Sequence, residues 1–202
     1  MIQDINEFIR LANEGNQRFK ELQTQIKRNN QDVIGDLFVS VSFGMGTAAK
    51  VPWIAIGRYA GYKEDGPVFL YYKERKKLIL SYGVKEEENN NPQHNFSWSQ
   101  EIRDNNELIN NHFGGNAESY GTSYAFKIYD VSNDSLVDGS TVESDLMQML
   151  TVYKNQLSNT DLISFIDINY TEYEQKLAIP IQDSRQQFLN KYPLENLMDL
   201  TI

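Results

Sequence analysis

Between Lys50 and Tyr82 the chain interleaves large rings with cations: Trp53, Tyr59, Tyr62, Tyr71, Tyr72 and Tyr82 among Lys50, Arg58, Lys63 and Lys73. Rings that stack on bases, beside cations that meet phosphates, are the combination that holds exposed nucleic-acid bases. For any single ring, packing in the core is the commoner use, because aromatic side chains dominate core burial. The cluster as a whole favours a binding face. Trp53 with one or two of Tyr59, Tyr62, Tyr71 and Tyr82 is the expected stacking set. Lys50, Arg58, Lys63, Lys73, Arg75, Lys76 and Lys77 are the expected phosphate contacts.

Catalytic patterns are thin. Gly44-Met45-Gly46-Thr47-Ala48-Ala49 formally fits a dinucleotide fingerprint, which needs a following helix to hold the pyrophosphate. Pro52 and a strand pattern come next instead, so a sharp turn is expected. There is no Gly-Lys-Ser or Gly-Lys-Thr for a phosphate loop and no Gly-x-Ser-x-Gly elbow. His94 and His112 have no partner at four-residue spacing and there is no cysteine, so surface or capping roles are expected over metal ligation. Asp65 followed by Glu74-Arg75-Lys76 resembles the acid, acid-x-lysine pattern of metal-dependent nucleases. That site needs its acids on adjacent strands converging on one metal, whereas Glu74 and Lys76 fall in a predicted turn. No catalysis and no cofactor are therefore expected.

The net charge of -9 opposes nucleic-acid binding, but its distribution matters more than its sum. From Leu37 to Gly83, seven basic residues stand against three acidic ones, a net of +4, which leaves -13 for the remainder. A basic, aromatic-rich segment in an acidic protein is a plausible footprint for a polyanion. The acidic remainder suits a protein partner better. The lack of cysteine fits a reducing interior, no apolar run is long enough to span a bilayer, and Met1-Ile2-Gln3-Asp4 lacks the features of a signal peptide. The expected location is the cytoplasm.

These residues need elements to position them. Ile5, Phe8, Ile9, Ala12, Phe19, Leu22 and Ile26 recur at helical spacing, which predicts a helix over 4–29 with a kink at Gly15. Alternating residues predict strands over 37–43, 53–56, 68–72, 78–82 and 124–129, with the third and fourth joined in a hairpin by Lys73–Lys77. Residues 86–92 read as a polar loop. Ser97 with Gln100 predicts a capping box for a helix reaching Phe113 and closed by Gly114-Gly115. Ser140 with Glu143 predicts a second box, for a helix burying Leu146, Met149, Leu150, Tyr153 and Leu157. The fold class is α+β: a curved, mostly antiparallel sheet or partial barrel flanked by helices, with a helical C-terminal tail. Residues 1–157 are expected as the recognition domain and 158–202 as the tail.

Phe43 to Gly57, FGMGTAAKVPWIAIG, resembles the MrcB-like N-terminal domain family of McrB-type modification-dependent restriction proteins. Its parts are the Gly44 and Gly46 turn, Val51-Pro52-Trp53-Ile54, the tyrosine-rich strand 68–72 and a strand ending at Gly83. Ala125–Tyr129 and Asp145–Tyr153 are similar to the family's closing strand and helix, so the likeness covers roughly residues 33 to 157. Many relatives carry an aromatic where this chain has Ala48, so a pocket lined there would differ. Gln187–Leu194, Leu197 and Leu200-Thr201 are similar to the segment preceding an AAA-type motor. The resemblance implies a DNA-binding specificity domain that reads modified DNA (methylated cytosine or a related base). The implied partners are an AAA-type motor in the same longer protein and a separate nuclease subunit. The alternative is a protein-interaction or sensor module of an anti-phage defence complex, and a nuclease is the third reading.

Overall fold

The computed structural model describes residues 1–15, 19–44, 47–85 and 96–157 of the 202. The chain divides into two compact units, Met1–Gln156 and Leu157–Ile202. The polar loop 86–92, His94, Gly46 and the helical tail all lie outside the described residues.

The first unit opens with α1 (Ile2–Glu14), α2 (Phe19–Asn29) and the short α3 (Gln31–Ile34). Gly15, in the left-handed region at φ 68°, caps α1 through its N–H to the Leu11 carbonyl. The expected single kinked helix is therefore corrected to two, because a left-handed residue ends a helix rather than bending it. A buried carboxylate joins them: Asp4 accepts from Gln25 Nε2, Asn29 Nδ2 and Asn30 Nδ2, each at 2.9 Å. Three amide donors offset the cost of desolvating it.

Strands β1 (Phe38–Ser42), β2 (Trp53–Gly57), β3 (Gly66–Tyr72), β4 (Lys77–Gly83), β5 (Tyr124–Ser132) and β6 (Ser135–Leu136) pair in chain order. Every pairing is antiparallel, and the sheet curls into a half-barrel. A register shift between Leu80 and Ser81, where β4 meets β5, contributes a local bend. β6 had no counterpart among the expected strands. It is joined to β5 by Asn133-Asp134, both at positive φ, the geometry of a two-residue hairpin turn.

Helices α4 (Gln100–Asn105) and α5 (Ile109–His112) replace the single helix expected up to Phe113. The cap is Ser99, whose hydroxyl accepts from the Ile102 N–H, and not Ser97. The indole of Trp98 is buried and donates to the Gly83 carbonyl at 3.0 Å, which holds the chain extended up to Ser99. Leu108 then bridges to Tyr124, and that strand-like contact separates the two helices. Helix α6 spans 142–157. Ser140 does not form the expected box, since its N–H and hydroxyl both donate to Asp138, at 3.0 and 2.8 Å. The expected stripe of Leu146, Met149, Leu150 and Tyr153 is buried.

All seven residues of β3 are buried, so this strand is covered on both faces. Alternation sends Phe69 and Tyr71 to one side, where Phe8 of α1 stacks on Phe43 and meets Tyr71 edge-on. Trp98 and Tyr153 of α6 extend this layer against Tyr82. The other face carries Ala55, Val68, Leu70, Tyr72 and Ile79, packed by Val51 and Ile109, with Trp53, Tyr62, Phe113, Ala117, Tyr120 and Ala125 around them. Its cover is mostly irregular chain.

Gly83 shows how tightly that second face is filled. A Cβ there would lie 2.7 Å from the Gly66 carbonyl oxygen and closer still to Tyr62 Oη and Val68 Cγ1. Gly83→Ala is expected to destabilise the fold by about 1–3 kcal/mol through overpacking, read as a lower urea midpoint. An unchanged midpoint would contradict this packing.

Candidate nucleic-acid interface

Strand register sorts the site residues by location. Ser42 pairs with Trp53, Trp53 with Leu70, and Tyr72 with Lys77. The β1–β2 connection holding Lys50 and the β3–β4 tip holding Lys73, Arg75, Lys76 and Lys77 therefore share one end of the sheet. A bond from the Tyr71 N–H to the Pro52 carbonyl, 2.9 Å, links them. Arg58 and Lys63 lie in the connection at the opposite end, where Phe38 faces Gly57 and Gly66 faces Gly83. At ~3.3 Å per residue, the length of β3 puts roughly 20 Å between the two groups. The fold thus divides the cations of the basic, aromatic-rich segment between two separate groups.

The cations also differ in what holds them. Arg58 grips Glu64 with both Nε (3.2 Å) and Nη2 (2.7 Å). Lys77 is paired with Asp130. Both leave the expected phosphate set, because their charge is already matched. Arg75 lies 4.3 Å over the Phe113 ring and donates to the Asn116 carbonyl at 2.7 Å, yet its side chain remains exposed. Among the described residues Lys50, Lys73 and Lys76 have no acidic partner, and all three belong to the Trp53 end.

The rings divide similarly. Tyr71 and Tyr82 are 2% and 6% exposed on the helix-covered face, as Tyr72 is on the other. Period-two alternation on strands buried on both sides, as β3 and β4 are, leaves such rings no open face, so Tyr71 and Tyr82 are corrected from stacking residues to core. Trp53, Tyr59 and Tyr62 are partly exposed. Trp53 and Tyr62 pack at 5.7 Å between centroids, and Tyr62 meets Tyr120 at 6.2 Å. Tyr59 lies under Arg58 at 5.4 Å, in the connection at the far end. The platform is thus Trp53, Tyr62 and Tyr120, with Phe113 beside it, stacked edge-on with Tyr72 at 4.8 Å. Sequence reasoning missed Tyr120 and Phe113. They come from an irregular segment more than fifty residues away, with no periodic pattern to mark their side of the sheet.

The connection carrying Tyr59 and Tyr62 is anchored from beneath. Glu64, 5% exposed, holds Arg58 and accepts the Tyr153 hydroxyl of α6 at 2.7 Å. Burial and the Glu64 carboxylate raise the Tyr153 pKa, which keeps this phenol a neutral donor. Tyr129 likewise donates to Asp145 at 2.8 Å, so α6 is fixed at a second point. The cavity bounded by Tyr59, Tyr62 and Glu64 measures about 10 Å³, room for about one water and far too little for a base. A ligand stacking here would use the open platform.

Nuclease geometry does not assemble from the acid, acid-x-lysine pattern. Asp65 precedes β3 and Glu74 follows it, at opposite ends of the strand. No cluster of three metal-ligating side chains occurs among the described residues. His112 ends α5, with its Nδ1 3.8 Å from Glu107. Between β1 and β2 the Ala49 N–H bonds the Phe43 carbonyl at 2.7 Å, and the next element among the described residues is strand β2, not a helix. Nor is any described helix long and apolar enough to cross a membrane.

Two outcomes are expected. Tyr153→Phe removes a buried donor from Glu64 and should cost about 1–3 kcal/mol in urea unfolding, where an unchanged midpoint would refute the anchor. Desolvation raises the Asp65 pKa, against the bond it accepts from the Lys85 N–H and the charge of Arg103. The folded state therefore disfavours its charged form, and this cost lessens as pH falls through the raised pKa. Asp65→Asn should stabilise the fold at about pH 7 and lose that advantage near about pH 4. Equal effects at both would show that desolvation is not the cause.

No model of a known protein family matches the chain. Over 142 residues, 67% of its length, it is 29% identical to the Type IV methyl-directed restriction enzyme EcoKMcrB subunit of Escherichia coli (strain K12). The match spans 30% of that protein. This chain thus contains a region related to the McrB subunit.

Proposed function

We propose that this chain is the DNA-recognition part of a McrB-type restriction system, reads modified cytosine, and performs no catalysis itself. It acts in the cytoplasm, in a longer protein with an AAA-type motor and a separate nuclease subunit. The observation that carries this reading is the half-open Trp53–Tyr62–Tyr120 platform beside Phe113, with the exposed guanidinium of Arg75 over that ring. Likeness to a subunit whose name describes it as methyl-directed supports the modified base. One methyl in an apolar contact discriminates by only ~1–3 kcal/mol, so stacking and hydrogen bonds to the base edge must add to it.

A second reading, docking of a protein partner, is favoured by the cleft between α1 and α2. It is lined by Glu7, Glu14 and Glu21, with Arg10 bridged to the first two.

The test is a titration with methylated, unmodified and single-stranded oligonucleotides at two salt concentrations. Methylated DNA should bind tightest, and more weakly as salt rises. Trp53→Ala should weaken binding by ~1–3 kcal/mol, about 5- to 150-fold. Lys50→Ala should reduce the logarithmic salt slope by about 1. No binding to any oligonucleotide at low salt would overturn the proposal and leave the protein-partner reading ahead.

A further inference from the structure

Tyr71 leaves the stacking set because its ring is buried, but its hydroxyl reaches a cleft on the α1 side of the sheet. This cleft measures about 430 Å³ and is lined by Asn13, Tyr71, Lys73, Lys76 and residues 131–134. That volume lies within the range of small-ligand pockets. Three distant segments build it: the end of α1, the β3–β4 tip and the β5–β6 turn. Arg75, between the two lysines in sequence, points instead to Phe113 on the platform side. The hairpin tip therefore divides its cations between two sites.

The walls are fixed by hydrogen bonds that need no ligand. Asn13 Nδ2 donates to Tyr71 Oη at 3.1 Å and to Asp134 Oδ1 at 2.7 Å, tying helix, strand and turn together. Lys76 is held at φ 50°, with its N–H on the Lys73 carbonyl (3.1 Å) and its carbonyl accepting from the Val131 N–H (3.0 Å). Burial raises the Tyr71 pKa, so the floor presents a neutral phenol. Such prior ordering lowers the entropy lost on binding.

The chemistry of the lining selects the ligand. Lys73 and Lys76 supply two positive charges without an acidic partner among the described residues, which suits a phosphate. Asp134, in the same lining, repels a bare anion and accepts only from a donor. A ligand satisfying both carries a phosphate at one end and hydroxyl or amino donors at the other. We infer that this cleft binds a nucleoside phosphate, with the phosphate on Lys73 and Lys76 and its sugar or base donors on Asp134. The same chemistry is offered by a free nucleotide and by a nucleotide within a strand. Only the second source depends on the DNA-recognition reading.

The full chain, labelled for amide chemical shifts, is titrated with a deoxynucleoside monophosphate, inorganic phosphate and the unphosphorylated nucleoside. The monophosphate should perturb residues 13, 71, 73, 76 and 131–134 and bind at least about tenfold tighter than either fragment. Lys73→Ala and Lys76→Ala should each weaken it several-fold with the thermal midpoint unchanged. Asp134→Asn, tolerated in the left-handed turn, should narrow its preference over inorganic phosphate. Trp53→Ala should leave it unaltered even where oligonucleotide binding is lost, so failure of the platform and failure of the cleft are distinguishable. Competition by a blunt duplex without terminal phosphates identifies the strand as the source, and its absence identifies the free nucleotide. The inference is overturned if these residues do not respond at about 10 mM. It also falls if inorganic phosphate binds as tightly in both the parent and Asp134→Asn.

Discussion

The fold turns on burying β3 on both faces. A strand with no open side demands two covering layers, and the two layers here are of different kinds. Helices α1 and α6 cover one face with regular, interlocking rings, from Phe8 to Tyr153. Irregular chain around Phe113 and Tyr120 covers the other. Helices seal a face, whereas an irregular segment leaves its rings half-open. The platform at Trp53 is a consequence of that asymmetry.

Polar groups set within these layers hold the parts in register. Asp4 locks α1 to α2, Glu64 locks the Tyr62 connection to α6, and Asp145 locks α6 to β5. Each carboxylate is buried and accepts from an uncharged donor, and each also faces a cation: the N-terminal amine at Asp4, Arg58 at Glu64 and Lys127 at Asp145. A buried carboxylate with several fixed donors tolerates few alternative arrangements, so these contacts specify geometry more than they add stability. The aromatic connection is therefore rigid at its base and open at its tip.

Charge follows the same logic. In the basic segment, partners were found for Arg58 and Lys77 by residues that the fold brought beside them, Glu64 and Asp130. Lys50, Lys73 and Lys76, with no acidic partner among the described residues, lie in the two connections at one end of the sheet. Steering of a polyanion would depend on such local charge, set against the chain's net charge of -9.

Much of this was legible in the sequence. Alternation predicted five strands close to their observed bounds, and helical spacing predicted the buried stripe of α6. Those signals are local, since each residue's neighbours two or four positions away decide its face. Composition likewise indicated that rings and cations concentrate between Lys50 and Tyr82. What no local pattern could decide was which rings face outward, because alternation is silent once both faces are covered. Tertiary structure placed Tyr71 and Tyr82 in the core, brought Tyr120 to Tyr62 from 58 positions away, and matched Arg58 to Glu64. Ring exposure and charge pairing depend on groups far apart in the chain, and only folding decides which of them meet.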